Sequence, residues 1–427
     1  MKKKYKVGSL FAGVGGICLG FKQAFSENSS FEMLWANEID EYACETYRQN
    51  FEHNLIEGDI NLVLHPESFD EEIDKIENEI KKCTDDLQKK TYESKLLDLN
   101  EKKKYYIQQK EKLLESQIDI LTGGFPCQAF SIAGERRGFE DERGNLFCSI
   151  ISLIEQLGKR HSKPRILLLE NVKNLRSHDN GRTYQIIKGE LEKLGYVIEE
   201  AVLNTMDYSD LPQNRERIYI VGFLHKEDAQ EFSLFARLNE YKNNKTPKDR
   251  REDVKKIINY YTSIEKDYKY YYTKEKYPGY YISEEEYTEL PMDKRKAVRV
   301  NLDEQIDEMY QFYQVRRGMY VRKNQSNVCP TLTANMGTGG HNVALVKVYD
   351  GIRKLTPAET FKLQGFPINK GYSLPSTYKG RPYTDSQLYK QAGNAVSVPV
   401  IRMIAEELLR VLESRMDIPL NKEVLEG

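Results

Sequence analysis

Seven short apolar runs recur along the first half of the chain, at residues 6–12, 33–37, 55–60, 118–125, 165–172, 197–204 and 217–223. The runs are continuous rather than alternating, the pattern of strands covered on both faces of a parallel sheet, and helical stretches separate them. The β-α-β-α-β rhythm of the first 60 residues predicts an α/β fold with a doubly wound, mostly parallel sheet. In open sheets of this kind ligands bind beyond the carboxyl ends of the strands. Polar residues at those ends are therefore the ones that speak to function.

Charge narrows the classes. With 64 Lys and Arg against 66 Asp and Glu, no polycationic coat covers the surface, so any nucleic-acid contact needs basic groups gathered locally. The six cysteines (18, 44, 83, 127, 148, 329) form no C-x-x-C pair and the six histidines are dispersed. No metal site is expected, and a reduced, cytoplasmic compartment is. Lys2 to Lys6 ahead of a mildly apolar run resemble a signal peptide only superficially, because five glycines interrupt residues 7–21. No stretch reaches about 18 apolar residues, so no membrane span is expected.

Two segments break the strand–helix rhythm. Residues 61–117 hold 14 acidic and 11 basic residues, with no Pro or Gly from 67 to 122. Ser68 and Glu71 have capping-box spacing, and Ile73, Ile76, Ile80, Cys83 and Leu87 recur at helical spacing. A charged helical hairpin without chemistry of its own is predicted, replaceable over 67–115 by a short linker. The second segment, roughly 225–350, carries 15 of the 29 tyrosines, ten of them between 260 and 287. Poor periodicity predicts a smaller, irregular domain. Within it, 309–349 contains Arg316, Arg317, Arg322, Lys323 and Lys347 and no acid, the local basic stretch that the overall charge requires. An amphipathic helix with Ile401, Ile404, Leu408 and Leu412 on one face closes the chain.

The strand ends carry the candidates. Phe11-Ala-Gly13-Val-Gly15-Gly16 follows the first strand as a Gly-rich turn, but Cys18 stands where a dinucleotide fingerprint wants its third glycine. Glu38 and Asp59 end the second and third strands. Either alone is a helix cap as readily as a ligand; together, beside a Gly turn, they favour a nucleoside-bearing cofactor. Cys127, after Gly123-Gly124-Phe125-Pro126, sits where a nucleophile would, although most lone cysteines are inert packing. Glu170 ends a buried strand as either a cap or a catalytic group. Gln213, Arg215 and Arg217 share one face by period-2 spacing, which points them toward a pocket.

As an ordered set these motifs resemble the cytosine-5 DNA methyltransferases of bacterial restriction–modification type. Phe11 to Gly16 is similar to their cofactor loop and Gly123 to Ser131 to their Pro-Cys-Gln loop. Further similar motifs are Arg143-Gly-Asn-Leu-Phe147, Glu170-Asn-Val172, Gln213-Asn-Arg-Glu-Arg217, Leu363-Gln-Gly-Phe-Pro367 and Gln391 to Pro399, and Thr331-Leu332 resembles the dipeptide closing the recognition loop. The resemblance implies a catalytic domain over 1–225, a target-recognition domain over 226–384 and a segment 385–427 returning to the catalytic domain. It implies S-adenosylmethionine held by Phe11, Gly13, Gly15, Glu38, Asp59, Leu146, Asn394 and Val396. By the same resemblance Cys127 adds to carbon 6 of a flipped cytosine, Glu170 holds the nitrogen 3 edge, Arg215 orients base and carboxylate, and Arg217 fixes the nucleotide. Gln128, Ser131, Arg316, Arg317, Arg322 and Asn335 are the expected contacts to double-stranded DNA. A monomer near the bacterial nucleoid, with any cognate endonuclease acting separately, completes the expectation. The alternatives are a cytosine-5 RNA methyltransferase and a catalytically idle DNA-binding relative. The insertion 61–117 departs from the family, whose members join those motifs more briefly.

Overall fold

The computed structural model describes residues 2–125, 146–295, 299–316, 320–336 and 344–414. Strands β1 (Lys3–Leu10), β2 (Ser29–Glu38), β3 (Asn54–Glu57), β4 (Ile120–Gly124), β5 (Ile166–Val172), β6 (Val197–Asn204) and β7 (Glu216–Phe223) form one sheet in the order β3-β2-β1-β4-β5-β7-β6. Neighbours from β3 to β5 are parallel, whereas β7 runs antiparallel to both β5 and β6. Residues 205–215 join β6 to β7 without a helix, so the chain turns back instead of crossing over. Side-chain pattern carries no strand direction, and the reversal was invisible in it.

Helices α1 (Gly16–Gln23) and α2 (Glu41–Arg48) link the first three strands. The chain winds outward from β1 to β3, then restarts on the other side with β4, leaving the topological switch point between β1 and β4. The insertion is the predicted hairpin, with α3 (Ile60–Leu64) leading to α4 (Asp70–Lys82) packed against α5 (Asp86–Glu115). Two details of its prediction fail. Ser68 does not cap α4, because the 3-10 turn Pro66–Phe69 runs straight into that helix. Nor is the hairpin wholly solvated: Ile73, Ile76 and Leu99 form a small core with Phe69, while Cys83 and Leu87 lie at the outer turn. Leu113 and Leu114, in the last turn of α5, belong to the main core beneath the sheet. Removal of 67–115 would therefore open that core.

Helices α6 (Leu146–Lys159) and α7 (Arg182–Lys193) cover one face of the sheet, where Leu121, Leu167 and Leu169 meet Ile150, Leu153 and Leu157. The opposite face, with Val7, Ile166 and Leu168, is covered by Ile401, Ile404, Leu408 and Leu412 of the helix Val398–Ser414. Alternate residues of β5 thus face two cores, which is why the strand reads as one apolar run.

The Tyr-rich region holds a regular element, an antiparallel sheet in the order β10-β9-β11-β12-β8, formed by β8 (Tyr271–Tyr272), β9 (Tyr313–Arg316), β10 (Tyr320–Lys323), β11 (Leu345–Val348) and β12 (Gly351–Lys354). Its tyrosines are largely packing. Tyr271, Tyr281 and Tyr313 are buried, and Tyr272 stacks on Tyr277 at 4.3 Å between ring centres. Buried Arg353 ties this sheet to the helix Pro357–Leu363 through two hydrogen bonds to Glu359, of 2.7 and 2.8 Å.

Leu113→Ala should lower stability by about 2–5 kcal/mol, the usual range for a cavity left in a packed core. Shortening the outer turn around Lys82–Asp85 should leave the unfolding midpoint unchanged. Denaturant unfolding of the two variants checks both.

Candidate active site

A cavity of about 570 Å³ opens at the carboxyl ends of β1, β2, β4 and β5, against the switch point. Its floor is the turn after β1. Phe11 holds a left-handed φ of 53° and Gly13 one of 54°. A side chain at Gly13 would meet nothing within 4 Å, so the backbone there is open to a ligand. Gly15 starts α1 and lies against the Phe51 ring, outside the lining.

Glu38 lines the cavity, but its carboxylate is already engaged. Oε2 accepts from Gly13 N at 2.7 Å, and Oε1 accepts from Ile39 N at 2.9 Å and Asp40 N at 2.8 Å. Burial pushes its carboxyl up, with the three amides opposing. A carboxylate offers about four lone-pair sites, so room for a further donor remains. Asp59 caps α3 through Asn61 N at 2.9 Å and also lines the cavity. Both of its sequence readings are thus compatible with one position. Leu146, Asn394 and Val396 line the same space.

At the other end of the cavity, Glu170 stands at the end of β5 in register with Gly124. Its Oε1 lies 3.0 Å from Arg217 Nε, and both side chains are nearly buried. Burial raises the Glu170 carboxyl above its usual range, with Arg217 and then Arg215 opposing. Next to it, Asn171 Nδ2 donates to Phe125 O at 2.8 Å and so fixes the residue two before Cys127.

The arginines divide differently from the expectation. Arg217, not Arg215, holds the carboxylate. Arg215 is buried and donates to the backbone carbonyls of Leu332 at 2.9 Å, Gly393 at 3.1 Å and Ala395 at 2.5 Å. Its Nε has no partner among the described residues, and burial brings the guanidinium down to about 9, still charged at neutral pH. Gln213 is likewise consumed by the frame rather than the pocket: it donates to Leu363 O at 2.7 Å and accepts from Leu332 N at 3.3 Å. Period-2 spacing correctly put the three on one side but could not tell depth.

Cys127, Gln128, Ser131 and Arg317 lie outside the described residues. Arg316 and Arg322 do not reach the main cavity; they line a second cleft of about 260 Å³ beside Thr331 and Thr333. Asn335 accepts from Thr333 Oγ1 at 2.7 Å on the same segment. Sequence reasoning missed Asn37 and Lys390, both lining the main cavity. Asn37 ties β2 to the β3 end through Ile56 O and Gly58 O, and Lys390 pairs with Asp40 at 2.5 Å. An amide immediately before Glu38 was the signal for the first; nothing local marked Lys390. Among the described residues no group of His, Cys, Asp and Glu could hold a metal ion, and no helix is long and apolar enough to cross a membrane.

The family model for C-5 cytosine-specific DNA methylases matches residues 5–80 and 75–410. The type II methyltransferase M.Bsp6I of Bacillus sp. (strain RFL6) is 41% identical over 406 residues, 95% of this chain and 98% of that relative. M1.ScrFI of Lactococcus lactis subsp. cremoris, another type II methyltransferase, is 33% identical over 96% of this chain and 79% of its own length. Among solved structures, a DNMT2 variant of Spodoptera frugiperda superposes with a TM-score of 0.54 at 16% identity, over 95% of this chain and 99% of that one, a likeness of fold.

Arg217→Ala removes the side-chain partner of the buried Glu170 carboxyl and should cost about 3–5 kcal/mol at pH values where that carboxyl is charged. Because the folded carboxyl is raised, this loss grows as pH rises and fades as pH falls through the raised folded value, where Glu170 is neutral in both proteins. Unfolding of both proteins from pH 4 to 8 checks the sign.

Proposed function

This chain belongs to the C-5 cytosine-specific DNA methylase family and is a DNA cytosine-5 methyltransferase; we propose how its residues divide that reaction. The observation that carries the assignment is the Glu170–Arg217 pair at the strand end, in register with Gly124 and hence three residues from Cys127. A carboxyl at one strand end and a thiol three residues along the chain from the end of the neighbouring strand suit addition to a ring with simultaneous charge control.

The Cys127 thiolate adds to carbon 6 of cytosine. Glu170, its carboxyl raised by burial, passes a proton to nitrogen 3 as negative charge develops there, and Arg217 keeps the carboxyl aimed. Carbon 5 gains enamine character and becomes nucleophilic. S-adenosylmethionine, when bound, supplies an electrophilic methyl group. Loss of the carbon 5 proton, expulsion of the Cys127 thiolate and return of the nitrogen 3 proton to Glu170 restore the ring. A base stacked in a duplex cannot reach a cavity at strand ends, so the cytosine must be flipped.

The lining fits a nucleoside-bearing methyl donor. Phe11, Ile39, Ile60 and Leu146 give apolar walls, Gly13 an open backbone edge, and Glu38 a carboxylate with acceptor capacity left. Asp59, Asn394 and Val396 would complete the pocket. Gly15 would act by letting α1 begin, not by touching the donor. Duplex DNA would lie across Arg316, Arg322 and Asn335, with Gln128, Ser131 and Arg317 as further contacts. The relatives' type II names support a modification enzyme with a separate endonuclease as its counterpart; a monomer in the cytoplasm completes the reading.

Labelled methyl transfer should be seen with duplex DNA and not with tRNA, at cytosines in one sequence context by bisulfite sequencing. Transfer to tRNA alone would overturn the assignment of substrate. Glu170→Gln should lower turnover by about 10²–10⁴-fold. The alkaline limb of the wild-type pH–rate profile, where Glu170 loses its proton, should be missing in that variant.

A further inference from the structure

We propose that one face of the β9–β10 ribbon reads base edges in the DNA, with Arg322 as the specificity-determining residue and Gln314 beside it. The inference rests on the DNA substrate assigned above and goes beyond it by naming the reading element.

The ribbon is two-faced by strand alternation. Tyr313 and Val315 are buried and Val321 packs with them, in the core of the small sheet with Leu345 and Ile352. The intervening residues, Gln314, Arg316, Tyr320 and Arg322, are on the other side, where Gln314 is buried at the base of the cleft and Tyr320 and Arg322 are exposed. In the ladder Arg322 stands opposite Gln314, and Tyr320 opposite Arg316. That face forms one wall of the 260 Å³ cleft, whose lining of arginine, amide and hydroxyl side chains includes no acid.

Charge pairing separates Arg322 from its neighbours. Lys323, on the core side of the ribbon, is matched by Glu308 at 2.8 Å and Asp307 at 3.2 Å. The Arg322 side chain is exposed and its guanidinium forms no hydrogen bond or ion pair with any described residue. An arginine with its full donor fork open, beside an amide, is suited to the O6 and N7 acceptors of guanine. A two-stranded ribbon also has the width that a major groove admits.

The opposite wall fixes the cleft relative to the chemistry. Thr331 Oγ1 donates to Asn214 O at 2.6 Å, Asn214 N donates to Cys329 O at 2.8 Å, and Arg215 holds Leu332. Residues 214 and 215 lead directly into the strand bearing Arg217. The distance from the read base to the flipped cytosine is thereby set by one continuous backbone.

The test is methylation by the full chain of a duplex library randomised around cytosine, at two salt concentrations, with thermal melting of each variant as a folding control. Arg322→Ala should relax preference for guanine at a single position by about 5- to 150-fold and leave the salt slope unchanged. Arg322→Lys should relax it similarly, since a lysine cannot make the bidentate pair. Lys323→Ala should keep the wild-type preference. Uniform weakening across all sequences with a salt slope lower by about one would make Arg322 a phosphate contact and overturn the proposal. So would unchanged preference in a folded Arg322→Ala protein. If the wild-type chain methylates no duplex in the library, the DNA assignment itself has failed, which the variants alone could not reveal.

Discussion

The site depends on a buried cation that forms no ion pair with a carboxylate among the described residues. Arg215 places its guanidinium on the carbonyls of Leu332, Gly393 and Ala395, so one side chain joins β7, the recognition segment and the returning segment. A buried charge is tolerable only when hydrogen bonded, and each carbonyl that Arg215 holds must therefore stay in place. The approach is close: a side chain at Gly393 would come within 2.4 Å of the Thr333 and Ala334 backbone. Gln213, one strand step earlier, fastens Leu363 and Leu332 in the same way. Residues 213 to 217 are thus a seam, and the segment around Leu332 cannot move without disturbing the strand that carries Arg217.

This seam explains the division of labour among groups of similar type. Two arginines two residues apart face the same side, yet one serves the backbone and the other the Glu170 carboxylate. Glu38 and Glu170 also differ by environment. Burial raises both carboxyls, but backbone amides tie the first to the Gly13 turn, whereas the second has an arginine side chain as its partner. The fold supplies the contrast by placing both at strand ends but only one beside an arginine.

Much of this was legible in the sequence. Unbroken apolar runs announced strands buried on both faces, and Glu38, Asp59, Glu170 and the Gly turn all line one cavity as their strand-end positions implied. What escaped has physical causes. Strand direction leaves no trace in side-chain pattern, so β7 was taken with the parallel strands. Spacing gives a face and not a depth, so Gln213 was assigned to the pocket instead of the frame, whereas Arg215 lines the cavity and holds the frame as well. Tyrosine content suggested irregularity, whereas the rings pack a small sheet. The charged surface of α5 hid the two leucines at its end that join the main core.

The central claim is that Cys127 supplies the nucleophile for a ring whose nitrogen edge meets the Glu170–Arg217 pair. Duplex DNA carrying 5-fluorocytosine at the methylated position tests it most directly, because carbon 5 then lacks the proton whose loss releases the enzyme. Mass spectrometry of the trapped complex should find the nucleotide on the peptide containing Cys127. An adduct on any other residue, or turnover of unmodified DNA with no adduct on the fluorinated duplex, would contradict the account.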